Sequence, residues 1–329
     1  MIRNKWFRTA SAVAAMAFVL AACGDGNGDN GDTTEDSEST EEVSDELSGN
    51  VNIDGSSTVF PLSSAAAELF MSENPGVQVG VASSGTGGGF EKFCAGETDI
   101  SDASRPIGDD EAAACESNDI AYEQLTVAND ALSVMVHPDN PVDCLTAEQL
   151  NAIWGPDSTI SSWSEIPDLD VDFDEPLDLY GPGTDSGTFD YFTDAINGEE
   201  GAQRTDYNNI GEDDNQGLTG VQGSVGGMFY AGYTYYAENA DTVKALEIDG
   251  GSGCVAPSED TAQDGSYTPL ARGLFIYPSD LALERPEVQA FIQYYIDNNE
   301  EIAAAVGAIP LTEEQKETAR EQVNALMGG

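Results

Sequence analysis

The chain has 329 residues and a formal net charge of −50, from 61 Asp and Glu against 11 Lys and Arg. That length admits two domains of ordinary size. So large an acidic excess excludes nucleic-acid binding, which needs a basic footprint, and reads instead as a solvating surface suited to a saline medium.

At the N-terminus, Arg3, Lys5 and Arg8 precede an apolar run from Ala10 to Leu20 that is too short to span a bilayer comfortably. Leu20-Ala21-Ala22-Cys23 resembles the lipobox of bacterial lipoproteins. The resemblance implies a signal peptide over 1–22, cleavage before Cys23 and lipid on its sulfur. Gly24 to Ser48 is Gly, Asp, Glu, Ser and Thr with almost no apolar side chain. Residues 23–48 are therefore expected to form a lipidated cysteine and a disordered acidic tether.

The folded part is expected from Gly49. Val51–Asp54 reads as a strand, GSST follows, and Pro61–Ser72 carries Leu62, Ala65, Ala66, Leu69 and Phe70 at helical spacing. Val77–Ala82 is the next strand. It leads into SSGTGGG, a short helix over Phe90–Ala95, and then DISDASR, which ends in Ser104 and Arg105. Asp109–Ser117 reads as helical, and the apolar run Tyr122–His137 as a strand crossing between domains. Thr146 and Gln149 form a capping box for a helix to about Ile153. Leu177–Tyr180 is a strand, GPGTDSGTF follows, and a helix runs from Thr188 to Ile196. Gly217–Gly232 is glycine-rich with a buried strand at Met228–Tyr230, and Val243–Ile248 is another strand. Leu274–Tyr277 reads as a second crossover. Helices follow at Pro286–Ile296 and Thr312–Met327. Alternating strands and helices give an α/β fold with mainly parallel sheets.

One device occurs three times, at 51–62, 78–94 and 177–196: a strand, a Ser/Thr/Gly loop and a helix. Glycine lets the backbone approach a ligand, hydroxyls donate, and a helix start favours an anion. A single such loop reads equally as a flexible connection; three together point to an anion site. Cys94, Cys115, Cys144 and Cys254 are an even set, consistent with two disulfides outside the cytoplasm. The one histidine, His137, has no metal-ligand spacing around it, so no metal site is expected.

GSSTVFPLSSAAAELF, SSGTGGGFEKFCAGETDISDASRPI and GPGTDSGTFDYFTDAINGE resemble the phosphate-binding lipoproteins of bacterial ABC phosphate-uptake systems. The resemblance runs in order from about Asn52 to Asn298. It implies a type II periplasmic-binding-protein fold, with two lobes joined by two crossover strands and phosphate in the cleft. It places lobe I at 49–130 plus 272–329 and lobe II at 131–271. Within-lobe pairing then gives Cys94–Cys115 and Cys144–Cys254. It implies donors from Ser57, Thr58 and Val59, from Ser84, and from Ser186, Gly187 and Thr188. Ser104 stands where many members carry an aspartate, and Pro182 where many carry an arginine. Arg105 is therefore expected as the site's one cation, and Asp102 or Asp185 as the proton acceptor. The implied partners are inorganic phosphate, the permease subunits of an ABC transporter and the membrane, through the lipid. No cofactor and no nucleic acid are implied, and the protein is expected to be an extracytoplasmic, lipid-anchored monomer.

Other readings compete. Another tetrahedral oxyanion such as sulfate fits the same fold. TDSGT looks superficially like a hydrolase nucleophile at Ser186, but such a serine needs an oriented base, and nothing orients His137. An anchored adhesion or sensory protein would need no small ligand. Arg105 can also be read as a structural bridge to Asp99, Asp102 or Asp109, and Asp54, Asp99 and Asp102 as turn and cap residues. Arg204 reads as a partner of the Asp206 or Glu212 region. Tyr230, Tyr233, Tyr235 and Tyr236 read as packing.

Overall fold

The structure is a computed structural model that describes residues 47–184, 186–211 and 213–327, all within a compact unit spanning Asp45–Gly329. The signal and lipobox residues, most of the tether and Asp185 lie outside the described residues. Among the described residues, no helix is long and apolar enough to cross a membrane.

The chain opens with β1 (Gly49–Gly55), α1 (Phe60–Glu73), β2 (Val77–Ser83), α2 (Thr86–Cys94), β3 (Ile100–Ala103), α3 (Asp109–Ser117) and β4 (Leu125–Val136). It continues with β5 (Cys144–Thr146), α4 (Ala147–Trp154), β6 (Asp178–Gly181), α5 (Gly187–Phe192), β7 (Asn208–Asn209), α6 (Asp214–Gly223), β8 (Gly227–Gly232) and α7 (Tyr233–Asn239). Then come β9 (Lys244–Ala245), β10 (Glu247–Asp249), β11 (Cys254–Val255), α8 (Glu259–Gln263), β12 (Ala271–Pro278), α9 (Asp280–Leu283), α10 (Pro286–Asp297), α11 (Asn299–Val306) and α12 (Glu313–Met327).

The main sheet has the order β2-β1-β3-β12-β4-β8-β6-β7, with β9 also on β4, and β11-β10-β5 forms a small separate sheet. β1 pairs parallel with β2 and β3, and β6 with β7 and β8. The two long crossovers, β12 and β4, run antiparallel to each other and to their neighbours β3 and β8. The sheet is thus mixed, not mainly parallel: each crossover inserts against the local strand direction, and this joins two parallel halves. One hydrophobic core uses Val51, Leu62, Phe70, Leu125, Phe291 and Tyr295, and another uses Leu132, Leu145, Trp154, Phe192, Tyr230 and Tyr267. Core membership changes within β4, between Ala128 and Ala131. This is the type II periplasmic-binding-protein fold, two lobes on two crossover strands.

Several local expectations differ from the structure for identifiable reasons. α2 begins at Thr86, so Gly87–Gly89 are helical. Interior glycines cost about 1 kcal/mol each relative to alanine, but a Cβ on Gly89 would lie 2.5 Å from Gly55 Cα, so close packing on β1 overrides propensity. The glycine-rich segment before β8 is also helical, as α6. A Cβ on Gly217 would meet the Phe229 ring at 2.6 Å, so a glycine face lets the helix lie on β8. The strand expected over Val243–Ile248 divides: β9 pairs with β4, and β10 with β5. A further helix, α11, follows directly on α10, beyond the end at Ile296 expected from the sequence. Both expected disulfides are present. Cys94–Cys115 ties α2 to α3, and Cys144–Cys254 ties β5 to β11.

Candidate functional site

A cavity of about 300 Å³ lies where the two lobes meet, lined on one side by Ser56, Ser57, Thr58, Ser84, Gly85–Gly88, Ser104 and Arg105. The opposite side supplies Gly187, Asp190, Tyr191, Asp194 and Glu200, and Arg272 comes from β12. The lining follows from local chain geometry. β1 and β2 end together, with Gly55 opposite Ser83, so both following loops open at one edge. There the first N–H groups of α2, from Thr86 to Gly88, lack helical acceptors. Thr86 Oγ1 is 3.1 Å from Ser104 Oγ, which holds the end of β3 against that helix start.

On the other lobe, Phe192 stacks on Tyr230 at 3.8 Å and packs edge-on to Trp154. This fixes α5 over β8 and aims Gly187 at the cavity. A Cβ on Gly187 would lie 3.2 Å from Thr58 Oγ1, so the lobes approach closely here. Ser186 Oγ accepts from Thr188 N–H at 3.3 Å, an N-cap contact.

Of the sequence-predicted ligands, Ser57, Thr58, Ser84, Ser104, Arg105 and Gly187 line the cavity together. Val59 is fully buried at the α1 start, and Ser186 and Thr188 form the cap behind Gly187; none of the three is a lining residue. Asp102 also stands outside the lining, beneath the floor. Its main-chain carbonyl accepts from Ser56 N–H, and its side chain accepts from Ser63 Oγ at 2.9 Å. Burial pushes the Asp102 carboxyl up to about 7, against the Ser63 hydrogen bond and with help from nearby Asp54. Burial also acts to raise Asp54, but hydrogen bonds from Lys92 and Ser84 outweigh it and hold Asp54 below the usual carboxylate range.

The cations are arranged differently from the expectation of a single site arginine. Arg105 gives Nη1 and Nη2 to the two oxygens of Glu111, at 2.8 Å each, and its side chain is 46% exposed. That hydrogen bonding, against a smaller effect of burial, raises the Arg105 pKa. The bridge goes to Glu111 rather than to Asp99, Asp102 or Asp109. Arg272 is a second cation in the cavity, 18% exposed, and the motif reading missed it. It lies directly opposite Asp130 on β4 and donates Nε to it at 3.2 Å. Asp190 and Asp194 were missed too; their i,i+4 spacing on the helix after TDSGT was the available signal.

Elsewhere the plainer readings hold. Arg204 pairs with Asp206 at 2.7 Å, and Tyr230 is buried in the core. His137 Nδ1 accepts from Asp139 N–H, so its side chain is engaged in its own turn.

The PBP superfamily domain matches residues 39–300 of the chain. SphX of Synechococcus elongatus is 43% identical over 268 residues, 79% of this chain and 77% of the relative. The phosphate-binding protein PstS of Staphylococcus saprophyticus is 32% identical over 333 residues, 99% of this chain and 96% of the relative. The crystal structure of a possible phosphate-binding protein from Planctomyces limnophilus is 44% identical, with a TM-score of 0.79 over 85% of this chain and 99% of that one. The interlobe cavity, the two crossovers and these relatives converge: the chain belongs to the PBP superfamily, in the family of SphX and the phosphate-binding proteins named PstS, and is a binding protein rather than an enzyme.

Proposed function

We propose that the protein captures inorganic phosphate in the interlobe cavity outside the cytoplasm and delivers it to the permease subunits of an ABC transporter. It is anchored by lipid on Cys23, with 1–22 as signal peptide and 23–48 as tether, and works as a monomer. Lobe I is 49–130 plus 272–329, and lobe II is 131–271. The hydroxyls of Ser57, Thr58, Ser84 and Ser104 and the N–H groups of the α2 start and Gly187 hold the oxygens. Arg105 draws the anion in from the exposed side, and Ser186 and Thr188 fix the start of α5.

The observation that carries this reading is the lining itself: serine and threonine hydroxyls and the helix start of α2 from one lobe, Gly187 at the helix start of α5 from the other, and two arginines, in a space of about 300 Å³. Such donors suit a compact oxyanion. Asp190, Asp194 and Glu200 on the facing wall favour phosphate over sulfate. Phosphate keeps a proton near neutral pH that a carboxylate can accept, whereas a fully ionised sulfate meets like charge there. A ligand present at 100 times its Kd stabilises the folded chain by about 2.7 kcal/mol. Thermal unfolding of the phosphate-stripped full chain should therefore shift upward in phosphate and little in equimolar sulfate; no shift in phosphate overturns the reading. Fatty-acid labelling that survives in Cys23→Ser overturns the anchor.

A further inference from the structure

We propose that Arg272, carried on the second crossover strand and clamped between Asp130 and the Tyr191 ring, is the cation that binds the phosphate oxygens and makes closure of the lobes depend on the ligand. This rests on the phosphate reading and names a residue of that site.

The geometry separates the two cavity arginines. Glu111 takes both outer nitrogens of Arg105, whose fork is thereby directed at a protein carboxylate on the exposed side. Asp130 takes Arg272 by Nε, so Nη1 and Nη2 are left to reach Ser104 O at 3.4 Å and Thr58 Oγ1 at 3.3 Å. Both of those contacts are long, and both acceptors belong to cavity residues. An incoming oxyanion can replace them with shorter, charge-assisted bonds from a planar fork.

The guanidinium carbon also sits 3.6 Å from the centroid of the Tyr191 ring, which is 5% exposed. Tyr191 is fixed in turn by its hydroxyl, which donates to Pro269 O at 3.1 Å. Arg272 therefore touches Thr58 and Ser104 on one lobe, Tyr191 on the other, and Asp130 on the neighbouring crossover. A stacked, partly desolvated guanidinium is held in place by the ring face. Phosphate seated on it is thus linked to the lobe that carries Tyr191.

The experiment is calorimetric titration of the purified, phosphate-stripped full chain with inorganic phosphate at fixed salt, with small-angle scattering of each sample. Arg272→Gln should raise Kd by roughly 30- to 3,000-fold, the range for breaking a desolvated charge pair. Arg272→Lys keeps the charge but cannot reach Asp130, the ligand and the ring together, so it should still lose at least tenfold. Arg105→Gln should lose at least tenfold less than Arg272→Gln. Arg320→Gln, an exposed pair with Asp297, controls for surface charge and should bind as the wild type does. Tyr191→Leu should weaken binding and reduce the phosphate-induced fall in radius of gyration, whereas Tyr191→Phe keeps the ring and should largely preserve both. A folded Arg272→Gln or Arg272→Lys within threefold of wild type overturns the proposal while leaving the phosphate reading intact. So does a larger loss in Arg105→Gln than in Arg272→Gln. If the wild-type chain binds no phosphate, the phosphate reading itself fails and this assignment falls with it.

Discussion

Asp102→Asn isolates a strongly displaced carboxyl, the one most raised among the described residues. Asp102 lies on β3 between β1 and β12 and is fully buried. One oxygen accepts from Ser63, whose hydroxyl is 3.4 Å from Tyr295 OH, and the other has no hydrogen-bond partner among the described residues. Burial dominates and pushes the group from its ordinary 3.8 to about 7. The native state therefore holds this proton across a pH range in which the unfolded chain has released it. Between pH 3.8 and about 7 the native state binds more protons, so stability falls as pH rises, and above about 7 the loss is complete. The gap corresponds to a penalty on the order of 4 kcal/mol. Asparagine has no proton to lose. The substitution also removes the repulsion between Asp102 and Asp54, which is part of the same shift. Urea unfolding at pH 4, 5.5 and 7.5 should show Asp102→Asn gaining on the wild type with pH, by up to about that amount. A difference that stays flat across this range refutes the reasoning.

Gly187→Ala places a Cβ 3.2 Å from Thr58 Oγ1 across the cleft; phosphate binding should weaken by about 1–3 kcal/mol, as for an overpacked contact, with apo stability little changed. Asp190→Asn should narrow the phosphate-to-sulfate ratio at least tenfold, because it removes a like charge facing sulfate from the cavity wall, while Asp102→Asn should leave the ratio near wild type. Replacing Cys144 and Cys254 together by serine should cost about 2–4 kcal/mol in chemical denaturation, since the bridge closes a separation of 110 residues.

That Ser57, Thr58, Ser84 and Gly187 line one cavity was legible in the sequence because the chain geometry that brings them there is local. A strand, a small polar loop and a helix start lie within about twenty residues of one another, and three copies of that unit are visible without tertiary information. The capping box at Thr146 and the span of α3 were legible on the same ground. Arg272 was not. It reaches the cavity only through pairing of β12 with β4, which sets it opposite Asp130, 142 positions earlier in the chain. Scarcity of cations could not find it either. Every Lys and Arg after the first ten residues has a carboxylate partner: Lys92, Arg105, Arg204, Lys244, Arg272, Arg285, Lys316 and Arg320. With 61 acidic residues available, pairing does not discriminate a structural cation from a ligand, and only position and the direction of the fork do. The mixed sheet was hidden for a related reason, because strand direction depends on where the chain crosses between lobes and leaves no mark on the strands' composition.

Selection of phosphate by the cavity is open to direct measurement. Isothermal titration of the phosphate-stripped full chain with phosphate and with sulfate, at the same pH and salt, measures it directly. One phosphate should bind per chain, with sulfate weaker by orders of magnitude. Equal affinity for the two anions, or no saturable heat with phosphate, would contradict it.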